Sequence, residues 1–292
     1  MKFAVIGGDL RQAKLAELLA KDGNSVSVYA LDKIRFEGDI FQASSFEEAA
    51  ANAECVVFPL PVTSKPGIIS TPLSSRNHFM GPALKVLSPE QIVLAGRIDE
   101  NTYAQGEKEN IRFIDYFKRE ELTVCNAAIT AEGAVQIIME ETPITICGAK
   151  CLVIGFGRIG KILANRLRSL GGDVTVSARK FSDFEWIRAY GYKPAETEKI
   201  KDILEEFDVI VNTVPTRILG EEELKCVKDG GLCLDLASKP GGIDFAAAAR
   251  IGKKAMWALS LPGEVAPVTS GEIIKKTIYN ILHELEEEKC QN

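Results

Sequence analysis

The residues with the clearest chemical meaning in this sequence are three glycines between an apolar run and a helical pattern. Residues 151–154 are apolar and predict a buried parallel strand, while the apolar spacing over 158–171 predicts an amphipathic helix. Glycines spaced as G-x-G-x-x-G at this junction permit a tight turn, close approach of the backbone to a pyrophosphate, and close packing of helix on strand. The helix N-terminus also favours an anion, so this stretch predicts a dinucleotide site. The residues that we expect to contact the pyrophosphate are Gly155, Gly157, Arg158, Ile159 and Gly160.

The end of the next predicted strand indicates which dinucleotide is bound. Chains that bind NAD usually have Asp or Glu after this strand, where the carboxylate holds the ribose 2′-hydroxyl. Here the strand at 173–176 is followed by Ser177, and Arg179 and Lys180 come next. A hydroxyl and two cations suit a 2′-phosphate, and no carboxylate is present to repel it, so we expect NADP(H) as the cofactor. The alternative is a Rossmann-like fold with a degenerate site and two ordinary solvated cations.

Composition places the chain among globular proteins and excludes several classes of function. The 292 residues suffice for two domains, and 46% hydrophobic with 26% charged residues is ordinary for such a protein. A net charge of −6, with no basic run, argues against nucleic-acid binding. We find no apolar segment of the ~18 residues that a membrane span needs. The seven cysteines include no C-x-x-C pair, so we expect a reduced, cytoplasmic protein with no metal site.

Strand and helix patterns alternate in two blocks, which predicts an α/β fold of two Rossmann-like parallel-sheet domains with a cleft between them. Residues 1–126 with 269–292 are expected to form a flavodoxin- or Rossmann-like substrate domain, and 127–268 an NADP-binding domain that starts with a linking helix at 127–142. The first turn, Gly7 to Gln12, lacks the three-glycine spacing, so we do not expect it to hold a pyrophosphate in the usual way. The predicted strands are 2–6, 26–30, 55–60, 92–95, 151–154, 173–176, 208–212, 232–235 and 254–258.

The remaining candidate residues lie in loops, because ligands of an open parallel sheet bind beyond the carboxyl ends of its strands. Those expected to border the dinucleotide are Thr213, Val214, Pro215, Asp235 and Ser238. Those expected to bind substrate carboxylates, some of them at the start of the linking helix, are Thr63, Ser64, Lys65, Arg97, Asn126 and Thr130. The candidate catalytic residues are Glu132, as proton acceptor, and Lys239. Each has a structural alternative: a hydroxyl that caps a turn, an arginine that pairs with an acid, or a glutamate beside a helix dipole.

The layout is similar to that of the D-2-hydroxyacid dehydrogenases, whose chemistry depends on an arginine, an acid and a histidine. The loop at 237–242 reads Ala-Ser-Lys-Pro-Gly-Gly, and the turn at 261–269 contains no histidine. The two histidines of the chain are His78, in a first-domain loop, and His283, on the last helix. Reduction of a 2-keto acid needs an acid–base group at the carbonyl, and these loops provide no imidazole for it. We therefore favour a different substrate.

Several segments resemble the family of the dipicolinate synthase A-type subunits, from spore-forming bacteria. They are Val5–Gln12 (VIGGDLRQ), Asn126–Ala134, Leu152–Gly160, Ser177–Arg179, Asp235–Gly242 and the turn Leu261–Gly263 with Ala266 and Pro267. The resemblance implies an NADP-dependent oxidoreductase that forms dipicolinate from a dihydrodipicolinate-level intermediate. It further implies a small dicarboxylate substrate, the flavoprotein (B-type) subunit of dipicolinate synthase as partner, and a place in the cytoplasm of the mother cell during sporulation. We also expect a homo-oligomer.

Two alternatives to this function remain open at the level of sequence. The chain could be another NADP-dependent oxidoreductase that acts on a small carboxylate. Turnover of 2-keto acids with NADPH would favour this alternative, and the missing histidine argues against it. It could also be a non-catalytic NADP-binding scaffold or sensor, because a sensor would have the same dinucleotide site.

Overall fold

The computed structural model describes residues 1–291, which divide into two compact α/β units. The first unit consists of Met1–Cys125 and the chain from Ala266 onward, and the second consists of Asn126–Val265. The boundaries proposed from the sequence, at 126 and 268, lie close to these divisions. The expected cleft stays a prediction.

The first unit is built on a six-stranded parallel sheet. Its elements in chain order are β1 (Lys2–Ile6), α1 (Leu10–Lys21), β2 (Ser25–Tyr29), β3 (Ile40–Gln42), α2 (Phe46–Ala50), β4 (Cys55–Val57), β5 (Thr63–Lys65), β6 (Ile68–Ile69), α3 (Met80–Val86), β7 (Ile92–Ala95), α4 (Glu100–Lys108) and β8 (Phe113–Asp115), followed by a 3₁₀ turn at Tyr116–Lys118. The strand order is β3-β2-β1-β4-β7-β8, while β5 and β6 form a separate antiparallel hairpin. Numbered along the sheet, this is the 3-2-1-4-5-6 order of a dinucleotide-binding domain and not the flavodoxin order.

The second unit repeats this architecture after a long helix, α5 (Glu120–Glu141). Its elements are β9 (Lys150–Ile154), α6 (Arg158–Ser169), β10 (Asp173–Ala178), α7 (Phe181–Ala189), β11 (Lys193–Glu196), a 3₁₀ segment (Thr197–Glu206), β12 (Val209–Asn212), α8 (Glu221–Lys225), β13 (Leu232–Asp235), α9 (Phe245–Arg250), β14 (Lys254–Trp257) and α10 (Leu261–Val265). Its six parallel strands are ordered β11-β10-β9-β12-β13-β14. The C-terminal helix α11 (Pro267–Gln291) belongs to the first unit.

The central strands are apolar throughout because helices cover both faces of each sheet. In β9 every residue from Cys151 to Ile154 is fully buried, which is typical of a parallel strand with two covered faces. In the first unit, Leu15 and Leu19 of α1 pack in one core with Ile274 and Ile278 of α11. The expectation that the last helix returns to the first block is therefore confirmed, and two parallel α/β units are established.

Helix α5 differs from the predicted linking helix in its start and in its composition. It begins at Glu120 and not at Ala127, so the residues around 126–132 lie inside the helix. By length and composition it is also apolar enough to cross a membrane, which we did not predict from the sequence. Such a helix is weak evidence for a span, because Leu122 and Ile138 are fully buried in the cores of their own units, as in a globular core helix.

Candidate functional site

The glycine-rich turn at 155–160 leaves no room for side chains at its first and third glycines. Gly155 has φ +102°, and a Cβ there would lie 2.5 Å from the hydroxyl oxygen of Thr213. A Cβ at Gly160 would collide with the carbonyl oxygen of Gly155. The first glycine is therefore required by backbone conformation and the third by close packing of α6 on the turn, as the sequence spacing predicts.

The surroundings of Gly157 differ from those of Gly155 and Gly160, and they indicate a binding site for a ligand. A Cβ at this position would meet no protein atom within 4 Å, and its φ of −82° is accessible to any residue. Gly157 caps α6 without any side-chain hydrogen bond, and the first turn of the helix contains no acidic residue. The N–H groups of Ile159 and Gly160 in that turn lack intrahelical acceptors by geometry. Open space above an uncapped, twelve-residue helix suits the approach of a phosphate.

The loop after β12 forms one wall of this turn. The Thr213 hydroxyl donates to the carbonyl oxygen of Ile154 at 2.9 Å, and a Cβ at Gly155 would lie 2.8 Å from Val214 Cγ2. Pro215, which follows, is exposed. The structure thus brings Thr213 and Val214 to the glycine-rich turn, although the Thr213 hydroxyl is already used to hold the loop on β9.

Ser177 does not lie where the sequence pattern predicts it. Strand β10 continues to Ala178, so Ser177 is an interior strand residue with no exposed surface, and its hydroxyl is 3.1 Å from that of Thr197. The expectation that Ser177 binds a 2′-phosphate is therefore wrong. The strand is longer than predicted because 175–178 pair in parallel with β11. We did not predict β11 from the sequence, because it is an edge strand whose exposed residues are polar.

Arg179 and Lys180 are the first exposed residues after β10. Neither forms an ion pair within residues 1–291, so both cations are available to an external anion. The carboxylate at the end of the neighbouring strand, Glu196, pairs with Lys199 at 2.8 Å. The end of β10 is therefore a place of unpaired positive charge next to the glycine-rich turn.

Asp235 organises its loop and is not exposed to a ligand. Its carboxylate is fully buried and accepts from the Asn212 amide at 2.8 Å and from the backbone N–H groups of Ala237, Gly242 and Ile243 at 2.9, 2.6 and 3.2 Å. The expectation that Asp235 borders the cofactor is wrong, since all its strong acceptor positions are filled. Ser238 and Lys239, on the loop that it shapes, are exposed, and their roles stay predictions.

The carboxyl edge of the first sheet carries the candidate substrate residues. Thr63, Ser64 and Lys65 form strand β5 and not a loop, and the Thr63 hydroxyl donates to Asp99 Oδ2 at 2.7 Å. Ser64 and Lys65 are exposed, and so is Arg97, whose backbone N–H donates to Asp115 Oδ1 at 2.9 Å. Thr63 is thus committed to an internal bond, while the side chains of Ser64, Lys65 and Arg97 form no bond within the described chain.

The candidates on α5 are not at a helix N-terminus, so the anion site proposed there is wrong. Asn126 and Thr130 lie more than one turn inside α5, and the Thr130 hydroxyl donates to the Asn126 carbonyl oxygen at 2.8 Å. Glu132 is exposed and lies 3.5 Å from Arg166, in the third turn of α6 and well away from its N-terminus. Its role as proton acceptor stays a prediction that this geometry does not favour.

The first turn of the chain is filled by its own side chains. The Asp9 carboxylate caps α1 and binds the buried guanidinium of Arg11, which also donates to the carbonyl oxygen of Leu60 at 2.6 Å. A carboxylate therefore occupies the helix end that a pyrophosphate would need. The expectation that the Gly7–Gln12 turn does not hold a pyrophosphate in the usual way stays a prediction, which this geometry favours.

In a comparison with known proteins, each half of the chain matches a family model. Residues 2–117 match a family model described as the N-terminal domain of the dipicolinate synthase A-type subunit. Residues 130–238 match the NAD binding domain of D-isomer specific 2-hydroxyacid dehydrogenase. The A-type subunit of dipicolinate synthase from Bacillus subtilis (strain 168) is 30% identical over 295 residues, which cover 99% of this chain and 98% of the relative. The chain belongs to the family of the dipicolinate synthase A-type subunits.

Solved structures agree with this family. The crystal structure of the A-type subunit of dipicolinate synthase from Bacillus halodurans superposes with a TM-score of 0.88 at 28% identity, covering 96% of this chain and 97% of that one. D-lactate dehydrogenase from Escherichia coli, at 15% identity and a TM-score of 0.61 over 99% and 98% of the two chains, shares the fold alone. The resemblance predicted from sequence motifs is confirmed, and the second unit is a nicotinamide-dinucleotide domain of the dehydrogenase type.

Proposed function

We propose that this chain is the NADP-binding subunit of a dipicolinate synthase. In this proposal it oxidises a dihydrodipicolinate-level intermediate to pyridine-2,6-dicarboxylate, together with a flavoprotein subunit, in the cytoplasm of a sporulating mother cell. The observation that carries the proposal is the open, uncapped N-terminus of α6 next to the unpaired cations that follow β10, in a chain of this family.

The cofactor part of the proposal rests on charge and space in the second unit. The open position at Gly157 lets a pyrophosphate reach the N–H groups of the first turn of α6. Arg179 and Lys180 supply the charge that a 2′-phosphate needs. They favour NADP over NAD because the two residues directly after β10 are cations, and Glu196 at the end of the neighbouring strand is paired with Lys199. NADP⁺, when bound, supplies the hydride acceptor for the oxidation.

The substrate part of the proposal rests on the carboxyl edge of the first sheet. Lys65 and Arg97 follow strands β4 and β7, are exposed, and have no ionic partner among the described residues. Two cations at one sheet edge suit a substrate with two carboxylates. The task of the chain is to hold the ring in place, because aromatisation drives the removal of a hydride and a proton, and correct orientation provides much of the rate.

A reconstituted reaction tests the proposal. The purified chain, with and without the candidate flavoprotein, is mixed with NADP⁺ and freshly prepared dihydrodipicolinate precursor, while absorbance of NADPH and of pyridine dicarboxylate is followed. We expect both signals to rise together, and the comparison shows whether the partner is needed. Flat signals from the pair, with NADP⁺ still bound, would refute an enzymatic role and support a scaffold or sensor.

A further inference from the structure

His78 lies at the carboxyl edge of the first sheet, in a segment to which no function has been assigned. Its ring lies 4.9 Å from that of Tyr29, the last residue of β2, in an edge-on arrangement. Its backbone carbonyl oxygen accepts from Ile69 of β6 at 2.8 Å, and β6 pairs with β5, which carries Lys65. The imidazole is thus part of the same edge as the proposed substrate ligands.

Ser74 and Asp32 determine which nitrogen of the His78 imidazole carries the hydrogen. The Ser74 hydroxyl oxygen lies 2.8 Å from Asp32 Oδ2 and 2.9 Å from His78 Nε2. Burial raises the pKa of Asp32, but hydrogen bonds from the Ser75 N–H and the Ser74 hydroxyl outweigh it and hold that pKa below its ordinary value. Asp32 is therefore an ionised carboxylate that only accepts hydrogen bonds.

The number of hydrogens at Ser74 then permits a single arrangement of donors and acceptors around its hydroxyl group. Ser74 has a single hydroxyl hydrogen and donates it to Asp32, so its oxygen accepts the Nε2–H of His78. The neutral imidazole must then carry its free lone pair on Nδ1, for which no hydrogen-bond donor is found within residues 1–291. The Asp32–Ser74 pair is also placed to stabilise a positive charge on the ring, since Nε2–H stays bonded when Nδ1 gains a proton.

The surroundings of His78 favour the neutral ring before any reaction. The groups that face it are Asp32, Arg76 and Tyr29. Burial lowers the pKa of His78 below its ordinary value, Asp32 opposes this change, and Arg76 reinforces it. Burial also raises the pKa of Tyr29, so its phenol is neutral. At neutral pH His78 is therefore a base with its lone pair on Nδ1.

We propose that Nδ1 of His78 accepts the proton that the substrate releases during oxidation. This inference rests on the proposed function and concerns the same reaction. The dihydropyridine dicarboxylate loses one hydrogen as a hydride to NADP⁺ and a second as a proton to Nδ1, and the electron pair of the second bond enters the aromatic ring. The imidazolium then releases its proton to solvent. His78 thereby takes the role that sequence reasoning gave to Glu132, which is paired with Arg166.

The test compares the two histidines of the chain in the reconstituted reaction with the flavoprotein. His78→Gln retains a hydrogen-bond donor for Ser74 but cannot accept a proton, and we expect kcat to fall about 100-fold with KM little changed. The wild-type kcat should rise with pH through the pKa of His78, and this acid limb should vanish in the variant. His283→Gln, at an exposed position on α11, is the matched control and should leave both kcat and the pH profile unchanged.

A second pair of measurements separates this step from a structural role. Asp32→Asn removes the charge that favours the imidazolium, so the acid limb should move to lower pH, which a loop-stabilising contact would not cause. In the His283→Gln protein, which has a single histidine, ¹⁵N NMR should show hydrogen on Nε2 of the neutral ring. Hydrogen on Nδ1, or a folded His78→Gln protein with the wild-type kcat and acid limb, would overturn the inference about His78. Either result would leave the proposed function unaffected. No turnover by the wild-type pair would refute the proposed function, and the step at His78 with it.

Discussion

Replacing Gly157 by alanine tests whether a cofactor pyrophosphate lies against the N-terminus of α6. The added Cβ would meet no protein atom within 4 Å, and the backbone at this position is extended, so the fold can accept it. Alanine is a poorer helix cap than glycine by about 0.5–1 kcal/mol. The reduced freedom of the unfolded chain offsets this by about 0.4–1 kcal/mol. We therefore expect the free energy of unfolding to change by less than about 1 kcal/mol.

Cofactor binding should respond far more strongly to the same change. The methyl group would fill the space through which the pyrophosphate reaches the N–H groups of Ile159 and Gly160. Hydrogen bonds to a charged group contribute about 1.5–3 kcal/mol each, so loss of both costs at least about 3 kcal/mol. Since about 1.4 kcal/mol is a factor of ten, Kd for NADPH should rise about 100-fold or more. Isothermal titration calorimetry measures Kd, and urea unfolding measures stability.

Gly160→Ala is the matched comparison in the same turn. Its Cβ would collide with the Gly155 carbonyl oxygen, so α6 must move, and overpacking of this kind costs about 1–3 kcal/mol or more. This variant should therefore lose stability as well as affinity. A Gly157→Ala protein that binds NADPH as tightly as wild type would refute the reasoning, since it would show that no phosphate lies above this glycine.

Three further substitutions test residues whose roles the structure separates. Arg179→Ala should raise KM for NADP about 10- to 100-fold and barely affect KM for NAD; an equal effect on both would rule out a 2′-phosphate contact. Asp235→Asn would turn an amide donor toward backbone N–H groups and should lower the free energy of unfolding by about 2–4 kcal/mol in urea, whereas an unchanged value would mean that this carboxylate is not structural. Burial raises the pKa of Asp99, but hydrogen bonds from Thr63 and Thr102 outweigh it and hold the pKa low. The stabilisation by Asp99 should therefore be present above about pH 4 and lost as the pH falls through its folded-state pKa. Asp99→Asn should lower the free energy of unfolding more at pH 7 than at pH 3. An equal decrease at the two pH values, measured by urea unfolding, would contradict this.

Most of the fold could be predicted from the types of a few consecutive residues. A fully buried parallel strand is continuously apolar, so 2–6, 92–95, 151–154 and 232–235 could be recognised from residue type alone. Edge strands such as β11 and the hairpin strand β5 were missed because their exposed residues are polar and resemble loops. The start of α5 was missed for a related reason, since its first turn is acidic and exposed.

The sequence by itself determined the dinucleotide site, and the tertiary structure decided which polar side chains are free to act. The positive φ of Gly155 and the packing of Gly160 against the Gly155 carbonyl oxygen both arise within a few residues of backbone, so the glycine spacing was sufficient to locate that turn. Hydrogen-bond partners depend on how the loops fold, and some of them, such as Asn212 for Asp235 and Asp32 for Ser74, come from distant parts of the chain that no local pattern records. Folding alone buried Ser177, saturated Asp235 with four donors, and brought residues 32, 74 and 78 together around one imidazole. A polar residue type indicates what chemistry is possible, but its reactivity depends on which donors and acceptors the folded chain has already paired with it.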